Sequence, residues 1–330
     1  LPPSEAVTRI ASANHAVTKI GSRLVGDLEG WEPDIVHAHD WQLGWAADSL
    51  AARYDVPFVL TMHGTERVRH GGQLPLGHPT DINSIEWWLA FQADRMISPT
   101  RFIVEQLITG FELADDHVTH IPNGIDPEQW RPAHRFSTPP TPRPPLVVSW
   151  GRVQYEKGFQ VLARAMHELR GRVPDVEGVI AGRGSYLPEL QTQVDVEGVS
   201  DILSLPGYLD DTDLRRLVHR AGCVVIPSLY EPFGIVALEA LAAGAPLIVA
   251  RTGGLAELVA DTDSGVTFEP GNPDDLADAI EQVLTNSELA TLLVANARDL
   301  VERKYAWTAI ARSTSDLYAE VVANGRHITL

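Results

Sequence analysis

Cysteine is almost absent from the 330-residue sequence: Cys223 is the only one, and it lies in the apolar run RAGCVVIP. A single cysteine excludes a disulfide within the chain, and no second cysteine supplies a ligand pattern typical of zinc. The apolar setting favours a buried thiol in a reducing compartment. We therefore expect a cytoplasmic protein whose cysteine takes no part in chemistry.

Positive charge is also scarce. The chain has 26 Lys and Arg against 44 Asp and Glu, which gives a formal net charge of −18 at pH 7. Nucleic-acid binding depends mainly on neutralising phosphates, so this balance argues against a nucleic-acid partner. A few cations focused in a cleft can still bind a small phosphorylated ligand.

No apolar run is long enough to cross a bilayer. The longest, residues 237–250, is interrupted by Glu239, Gly244 and Pro246, whereas a membrane helix needs about 20 mostly apolar residues. Nothing in the sequence indicates association with a membrane surface. The chain begins at Leu1 and not at Met, so a targeting segment upstream of it cannot be judged.

A proline-rich segment divides the chain. Residues 131–145 contain six prolines, which are incompatible with a regular helix or a central strand. Both flanks carry patterned apolar segments, so we interpret this segment as a linker between a first domain, 1–136, and a second, 137–307. A last amphipathic helix is predicted over 307–322, and its pattern does not decide which domain it packs against.

Short β-branched runs alternate with helical patterns on both sides of the linker. Such alternation implies parallel sheets covered on both faces, with ligands bound at the carboxyl ends of the strands. Two domains of this kind predict a ligand-binding cleft between their sheets. The predicted strands are 34–39, 58–63, 95–100, 118–123, 146–151, 178–184, 223–228 and 246–251, and the predicted helices are 44–54, 101–107, 158–170, 213–221, 235–243 and 273–284.

The segment GRVQYEKGFQVL, residues 151–162, carries two cations at a strand end. Arg152 and Lys157 follow the predicted strand and precede a helix that begins after Gly158. An Arg fork and a Lys point charge in this position suit two adjacent phosphates.

The segment YEPFGIVALEALAAG, residues 230–244, carries two carboxylates. We place Pro232 in the first helical turn, which leaves Glu231 in the loop before the helix. Backbone N–H groups at 233–235 would then be available to donate hydrogen bonds to a ligand. Glu239 lies within an apolar helix, where a carboxylate needs a partner.

Together these segments resemble the family-4 retaining glycosyltransferases of the GT-B fold. Glu231-Pro-Phe-Gly followed by Glu239 resembles that family's Glu-x7-Glu signature, and GRVQYEKG resembles its diphosphate clamp. The segments IPNGID, AGRGS, GYL and RTGGLAELV match as well, so the resemblance extends over most of the chain. It implies an α/β protein with two Rossmann-like, doubly wound parallel-sheet domains facing a cleft. It also implies that the first domain lacks its N-terminal strands here and that a last helix, about 308–330, returns to that domain.

The resemblance also implies roles for individual residues. Arg152 and Lys157 bind the diphosphate, Glu231 and the loop after it hold sugar hydroxyls, Glu239 binds the ribose, and the backbone near Tyr208 contacts the base. The implied catalytic residues are His39, Arg152, Lys157 and Glu231. The implied donor-binding residues are Gly151, Arg152, Lys157, Gly182, Tyr208, Leu209, Glu231, Phe233, Gly234, Ile235, Val236 and Glu239. The implied acceptor-side residues are His39, Asp40 and His63.

The histidines come from two predicted strand ends. VHAHDW, residues 36–41, resembles the acceptor-side motif of glycogen-synthase-like members, which places His39 near the sugar and His63 at the end of the neighbouring strand. His37 ranks lower because it lies further from its strand's end.

Two Asp-x-Asp pairs resemble a metal-binding motif of another glycosyltransferase fold. They are Asp211 with Asp213, and Asp261 with Asp263. Both stand where a turn or a helix start favours Asp as a cap, so we expect no metal.

The most similar group is the actinobacterial α-1,4-glucosyltransferases of glycogen or methylglucose polysaccharide synthesis. This resemblance implies retaining transfer of a hexose, with glucose from UDP- or ADP-glucose moved to an α-glucan or related glycan and with no other cofactor. Three alternatives stay open: a GDP-mannose-dependent α-mannosyltransferase, an inverting nucleotide-sugar epimerase of the GT-B fold, and a truncated, non-catalytic sugar-nucleotide-binding module. The last arises because the family's Gly-Gly loop after its first strand is missing from this sequence.

Overall fold

A computed structural model describes residues 3–131, 143–260 and 262–326. The chain forms two compact units: Leu1–Pro122 with Ile310–Leu330, and Asn123–Ala309. The predicted domain boundary at 136/137, and most of the proline-rich segment around it, lie outside the described residues.

The first unit contains a parallel sheet of four strands in the order β1-β2-β3-β4. The strands are β1 (Val36–His39), β2 (Phe58–Thr61), β3 (Arg95–Ser98) and β4 (Val118–His120). The helices are α1 (Pro3–Gly21), α2 (Leu24–Asp27), α3 (Gly44–Tyr54), α4 (Glu66–Arg69), α5 (His78–Gln92) and α6 (Arg101–Phe111).

The central strand β2 is buried along its whole length, as its apolar sequence FVLT predicts for a parallel sheet. Phe58 and Leu60 join Leu89 and Leu107 in the main core of this unit. The predicted strand 95–100 ends earlier, at Ser98, because the Thr100 hydroxyl accepts the N–H of Ile103 and caps α6.

The second unit contains a parallel sheet of six strands in the order β10-β9-β8-β5-β6-β7. The strands are β5 (Leu146–Trp150), β6 (Glu177–Ala181), β7 (Leu203–Gly207), β8 (Cys223–Ile226), β9 (Leu247–Ala250) and β10 (Val266–Phe268). The helices are α7 (Pro127–Trp130), α8 (Phe159–Leu169), α9 (Leu187–Val196), α10 (Asp211–Arg220), α11 (Ile235–Ala243), α12 (Gly253–Val259), α13 (Pro273–Thr285) and α14 (Ser287–Leu300).

Helices cover both faces of this sheet. Val147 and Val225 face a core cluster shared with α8 and α13, while Val148 and Val224 face a second cluster shared with α11. The adjacent residues alternate between faces because successive side chains of a strand point to opposite sides. Cys223 is fully buried, and burial raises the pKa of its thiol.

The last helix, α15 (Trp307–Asn324), contributes its apolar stripe to the first unit. Ile310, Leu317 and Val321 form a buried cluster with Val59 and Ile97 of the sheet. The sheet of the first unit therefore has a second covered face.

Candidate active site

The sheet of the second unit changes winding direction at β5, which pairs with β6 on one side and β8 on the other. Ligands of open α/β sheets bind at such a switch point, outside the carboxyl ends of the strands. The loop after β5 begins at Gly151 and the loop after β8 begins at Pro227. Both predicted charged segments therefore start at this crevice.

The two loops are in direct backbone contact at Gly158. A Cβ placed on Gly158 would lie 1.8 Å from the carbonyl oxygen of Pro227, and the residue has φ +69°. Leu229 also donates its N–H to the carbonyl of Glu156 at 2.8 Å. A glycine is required here because a larger residue would push the loops apart.

The contact brings together Lys157 and Glu231, which are 74 positions apart in the sequence. Lys157 Nζ donates to Glu231 Oε2 at 2.6 Å, and the Ser228 hydroxyl donates to the same oxygen at 3.3 Å. The two side chains are only 19% and 14% exposed. The ammonium has three donors, so it can bind an anion while keeping this ion pair.

Arg152 lies at the same strand end but is exposed, and its guanidinium forms no ion pair with any residue in the described ranges. Gly151, next to it, approaches β6 closely: a Cβ on Gly182 would lie 1.9 Å from the Gly151 carbonyl oxygen. The backbone that carries Arg152 is thus fixed while its side chain extends to solvent.

The helix with the second carboxylate begins at Ile235, the first residue of the predicted range 235–243, and Pro232 lies outside it. Gly234, with φ 97°, precedes α11, which begins at Ile235, so placing Pro232 in the first helical turn was wrong. Without its own Cβ, Gly234 allows the left-handed conformation that turns the chain into the helix. The first-turn N–H groups, at Ile235 and Val236, have no acceptor within the helix.

Phe233 and Ile235 have opposite environments. The Phe233 side chain is buried, with its ring centre 6.4 Å from that of Tyr305. Ile235 is 52% exposed at the helix start. A ligand can therefore reach Phe233 only through its backbone.

Glu239 has the partner that its apolar helix requires. Its Oε2 accepts the indole N–H of Trp150 at 3.1 Å, and Trp150 is the last residue of β5. Burial raises the pKa of Glu239, and the hydrogen bond from Trp150 opposes that rise. Sequence reasoning missed Trp150, although its place at the end of an apolar strand marked it as adjacent to the site.

Tyr208 follows β7 and is 59% exposed. The Arg183 guanidinium, from the loop after β6, lies 5.1 Å from the centre of the Tyr208 ring. Leu209 packs partly against the core of the unit. Arg183 was not among the predicted site residues, although it stands in the AGRGS segment.

In the first unit, three histidines form one cluster. The rings of His37 and His39 are stacked with centres 4.6 Å apart, and those of His39 and His63 are stacked at 5.3 Å. His39 Nδ1 and His63 Nε2 are hydrogen-bonded at 3.0 Å. We ranked His37 below the other two, and the structure places it in contact with His39.

Two more residues hold His37. Its Nδ1 contacts the hydroxyl of Tyr318 on α15, and its Nε2 lies 2.8 Å from the Thr61 hydroxyl. Burial and the neighbouring His39 and His63 lower the pKa of His37 to about 4. Partial burial lowers the pKa of His39 as well, while the Asp40 carboxylate opposes this change.

Asp40 has a strained backbone. Its φ of 55° and ψ of −176° lie in a region that is essentially restricted to glycine. Its Oδ1 accepts the N–H of His63 at 2.9 Å, and its own N–H donates to the Thr61 carbonyl at 2.8 Å. Asp40 therefore ties the end of β1 to the end of β2.

One Asp-x-Asp pair lies at a helix start, and one residue of the other is not described. Asp210, and not Asp211 or Asp213, caps α10 by accepting the N–H groups of Thr212 and Asp213. Asp261 lies outside the described residues. Within the described ranges no group of three His, Cys, Asp or Glu is arranged to hold a metal ion, and no helix is long and apolar enough to span a bilayer.

Comparison with known proteins identifies the family. Residues 131–300 match the model "Glycosyl transferases group 1", and residues 11–129 match "Glycosyltransferase Family 4". The chain belongs to the family-4 glycosyltransferases. It is an enzyme that transfers a sugar from a nucleotide sugar.

Curated relatives agree with this assignment. A glycogen synthase of Mycobacterium tuberculosis is 36% identical over 92% of this chain and 73% of its own length. An α-maltose-1-phosphate synthase of the same organism is 29% identical over 96% of this chain and 86% of its own length. The family prediction is confirmed.

Solved structures show the same fold. A sucrose-phosphate synthase of Thermosynechococcus elongatus superposes with a TM-score of 0.77 at 23% identity, over 94% of this chain and 79% of that one. HepE of Anabaena in complex with UDP and glucose gives 0.75 at 18% identity, over 94% and 80%. The predicted GT-B fold is confirmed.

Proposed function

We propose that this enzyme transfers glucose from UDP- or ADP-glucose to an α-glucan or related glycan, with retention of anomeric configuration. The Lys157–Glu231 pair carries the proposal, because it places a cation and a carboxylate together at the switch point of the second sheet. The glycogen synthase relative supports an α-glucan product, and the α-maltose-1-phosphate synthase relative supports a product built from glucose units. A neighbour of the same fold binds UDP and glucose.

The barrier to transfer is departure of the nucleoside diphosphate from an oxocarbenium-like carbon. Negative charge grows on the leaving phosphate oxygen, and Arg152 and Lys157 stabilise that charge more strongly in the transition state than in the ground state. The acceptor hydroxyl attacks the same face of the sugar and gives its proton to the departing phosphate. One carbon–oxygen bond forms, one breaks, and the proton leaves with the nucleoside diphosphate.

The remaining donor contacts follow from the positions of the carboxylates. Glu231 accepts hydrogen bonds from sugar hydroxyls and does not act as a nucleophile. The carboxylate of Glu239, which is held by the indole N–H of Trp150, accepts hydrogen bonds from the ribose hydroxyls. The backbone near Tyr208 contacts the base, and first-turn N–H groups of α11 donate to the sugar.

On the acceptor side we assign His39 and His63, fixed relative to each other by their hydrogen bond and by Asp40. No metal and no cofactor other than the nucleotide sugar enters this scheme.

The test is to mix the protein with UDP-glucose, ADP-glucose, GDP-glucose or GDP-mannose, with and without maltooligosaccharides. Nucleotide release and chain extension are followed, and proton NMR of the product gives the anomeric configuration of the new linkage. Lys157→Met should abolish most of the activity, whereas Lys304→Met, an exposed lysine of the same unit, should not.

Each outcome distinguishes between the proposed function and one alternative to it. Release from GDP-mannose alone would favour the mannosyltransferase, and donor binding without turnover would favour a non-catalytic module. An inverted product linkage would refute retention, and a trapped glycosyl adduct on Glu231 would refute the role assigned to that carboxylate.

A further inference from the structure

His37 differs from the other two histidines of the cluster because both of its ring nitrogens are occupied by hydroxyl groups. Nδ1 contacts the Tyr318 hydroxyl, and Nε2 lies 2.8 Å from the Thr61 hydroxyl. A neutral imidazole has one donor and one acceptor nitrogen, so two hydroxyl partners satisfy it fully. An imidazolium has two donors and would require both hydroxyls to accept.

The stack limits how much charge the cluster can carry. The groups that act on His37 and His39 are His63, which disfavours a further positive charge, and Asp40, which favours one on His39. If His37 and His39 were both protonated, the two cations, with ring centres 4.6 Å apart, would repel each other in this partly desolvated site. A second proton on the stack is therefore strongly opposed.

Tyr318 remains a hydroxyl donor at physiological pH, since burial raises the pKa of its phenol. We propose that Tyr318 and Thr61 are positioning residues that hold His37 as the neutral Nε2–H tautomer, so that a proton taken up by the cluster does not reside on His37. Tyr318 O–H donates to Nδ1, and Nε2–H donates to the Thr61 hydroxyl. His37 then serves as an uncharged surface against which His39 is stacked, and its importance for transfer rests on the proposed acceptor-side role of His39.

The direct test is nitrogen-15 NMR of the imidazole rings over about pH 5 to pH 8, the interval in which an unperturbed histidine titrates. Signals are assigned with single His→Gln variants. In the wild-type protein we expect His37 to stay neutral with the proton on Nε2 throughout. Charging of the ring of His37 together with that of His39 would overturn the proposal.

Two variants test the two hydroxyls separately. Tyr318→Phe keeps the ring that packs against the cluster containing Val59 and Ile97 but removes the donor to Nδ1, so the pKa of His37, followed by extending the titration to about pH 3.5, should rise by about half a unit to one unit. Thr61→Val removes the acceptor of Nε2–H, so the proton should move to Nδ1 and donate to Tyr318. No change in either measurement would overturn the proposal.

Tyr54→Phe is the matched control, because Tyr54 donates to the Gly21 carbonyl in the same unit and contacts none of the three histidines. It should leave the His37 signal unchanged. An equal shift of the His37 signal in both tyrosine variants would overturn the proposal, because it would show a general change in packing and not an effect of the Tyr318 hydroxyl.

In the transfer reaction, Tyr318→Phe should move the acid limb of the pH–rate profile and leave the donor KM unchanged. An absence of transfer activity would refute the proposed function, but the NMR result would still decide the role of Tyr318.

Discussion

Trp150 donates its indole N–H to Oε2 of Glu239 across 3.1 Å, although the two residues are 89 positions apart. The Trp150 ring is itself stacked against that of Trp130, with centres 6.1 Å apart. The strand that ends at Trp150 leads directly into Gly151 and Arg152. One strand end therefore fixes the carboxylate proposed for the ribose and the cation proposed for the diphosphate.

Removing the indole donor should weaken donor binding. We expect Trp150→Phe to raise the donor KM roughly 10- to 150-fold, because a hydrogen bond to a charged group contributes about 1.5–3 kcal/mol and each 1.36 kcal/mol is a factor of ten. The turnover number should change little, since Glu239 does not touch the reacting atoms in this scheme. Steady-state kinetics with varied donor concentration give both quantities.

The control for this variant is Trp307→Phe, which alters an exposed tryptophan of the same unit. If Trp150 acts through Glu239, then Trp150→Phe and Glu239→Gln should be non-additive in a double-mutant cycle. Fully additive effects on KM would show that the two residues act independently.

Substituting Arg152 or Lys157 should lower the turnover number to a similar extent, but the two substitutions should affect the stability of the folded protein differently. Each variant, Arg152→Met and Lys157→Met, should lower the turnover number about 10²–10³-fold, by analogy with a lost oxyanion donor. Only Lys157→Met should destabilise the folded protein, since it leaves Glu231 without its ion-pair partner in a largely buried position. Urea unfolding measures the second effect.

For exposed Arg152 we expect a stability change within about 0.5 kcal/mol. Pairing Lys157→Met with Glu231→Gln should recover part of the stability but none of the turnover. Equal destabilisation by Arg152→Met and Lys157→Met would contradict the ion-pair geometry.

The elements nearest the donor site could be predicted because local signals agree there. Helix α11 spans the predicted range 235–243, since eight of its nine residues are apolar or small and Gly244 caps the helix in the left-handed conformation. For Lys157 and Glu231, the sequence indicated only that both lie at the same crevice, and it did not indicate that they form an ion pair. Its geometry depends on the close approach at Gly158, which the sequence does not encode locally.

Elsewhere the sequence pattern was too weak. Strand β7 lies at the edge of its sheet with Ser204 and Pro206 exposed and only Leu203 buried, and a proline argues against a strand, so we did not predict it. Helix α5 was missed because its apolar residues do not form one stripe: Trp87 and Phe91 are exposed, whereas Leu89 is buried. Tyr318 was placed on the last helix by periodicity, but no local signal indicated that it contacts His37.

The strain at Asp40 leads to a prediction about stability. Asp40→Ala loses the bond to the His63 N–H and keeps the strained backbone, whereas Asp40→Gly loses the bond and relieves the strain. We expect the Gly variant to be more stable than the Ala variant by about 1–3 kcal/mol. Both should lose turnover, while Asp40→Asn, which keeps an acceptor oxygen, should retain more of it.

Asp81 provides the control, because it lies exposed in the first turn of α5. There a glycine should be less stable than an alanine, by up to about 1 kcal/mol, so the order is reversed. The same order at Asp81 and Asp40 would show that backbone strain is not what distinguishes the Asp40 site.

The buried carboxyl of Glu86 should make the stability of the protein depend on pH. Its two oxygens lie 3.2 and 2.9 Å from the backbone nitrogen of Glu66, the first residue of helix α4. Burial raises the pKa of Glu86 from 4.5 to about 7, and the hydrogen bond from the Glu66 N–H only partly opposes this. Between these two values the folded protein keeps a proton that the unfolded chain has released.

Stability should therefore fall as pH rises through this window, because the folded state binds more protons than the unfolded state. For Glu86→Gln, which cannot ionise, the free energy of unfolding should lack this slope. The free energy of unfolding of the wild type, minus that of Glu86→Gln, should therefore decrease by roughly 3 kcal/mol from about pH 4.5 to about pH 7. Urea unfolding at several pH values measures it, with Glu105→Gln as the exposed control expected to run parallel to wild type. A variant that also runs parallel would show that Glu86 is already ionised in the folded protein at acid pH, which would require a stronger interaction with the Glu66 N–H than the structure indicates.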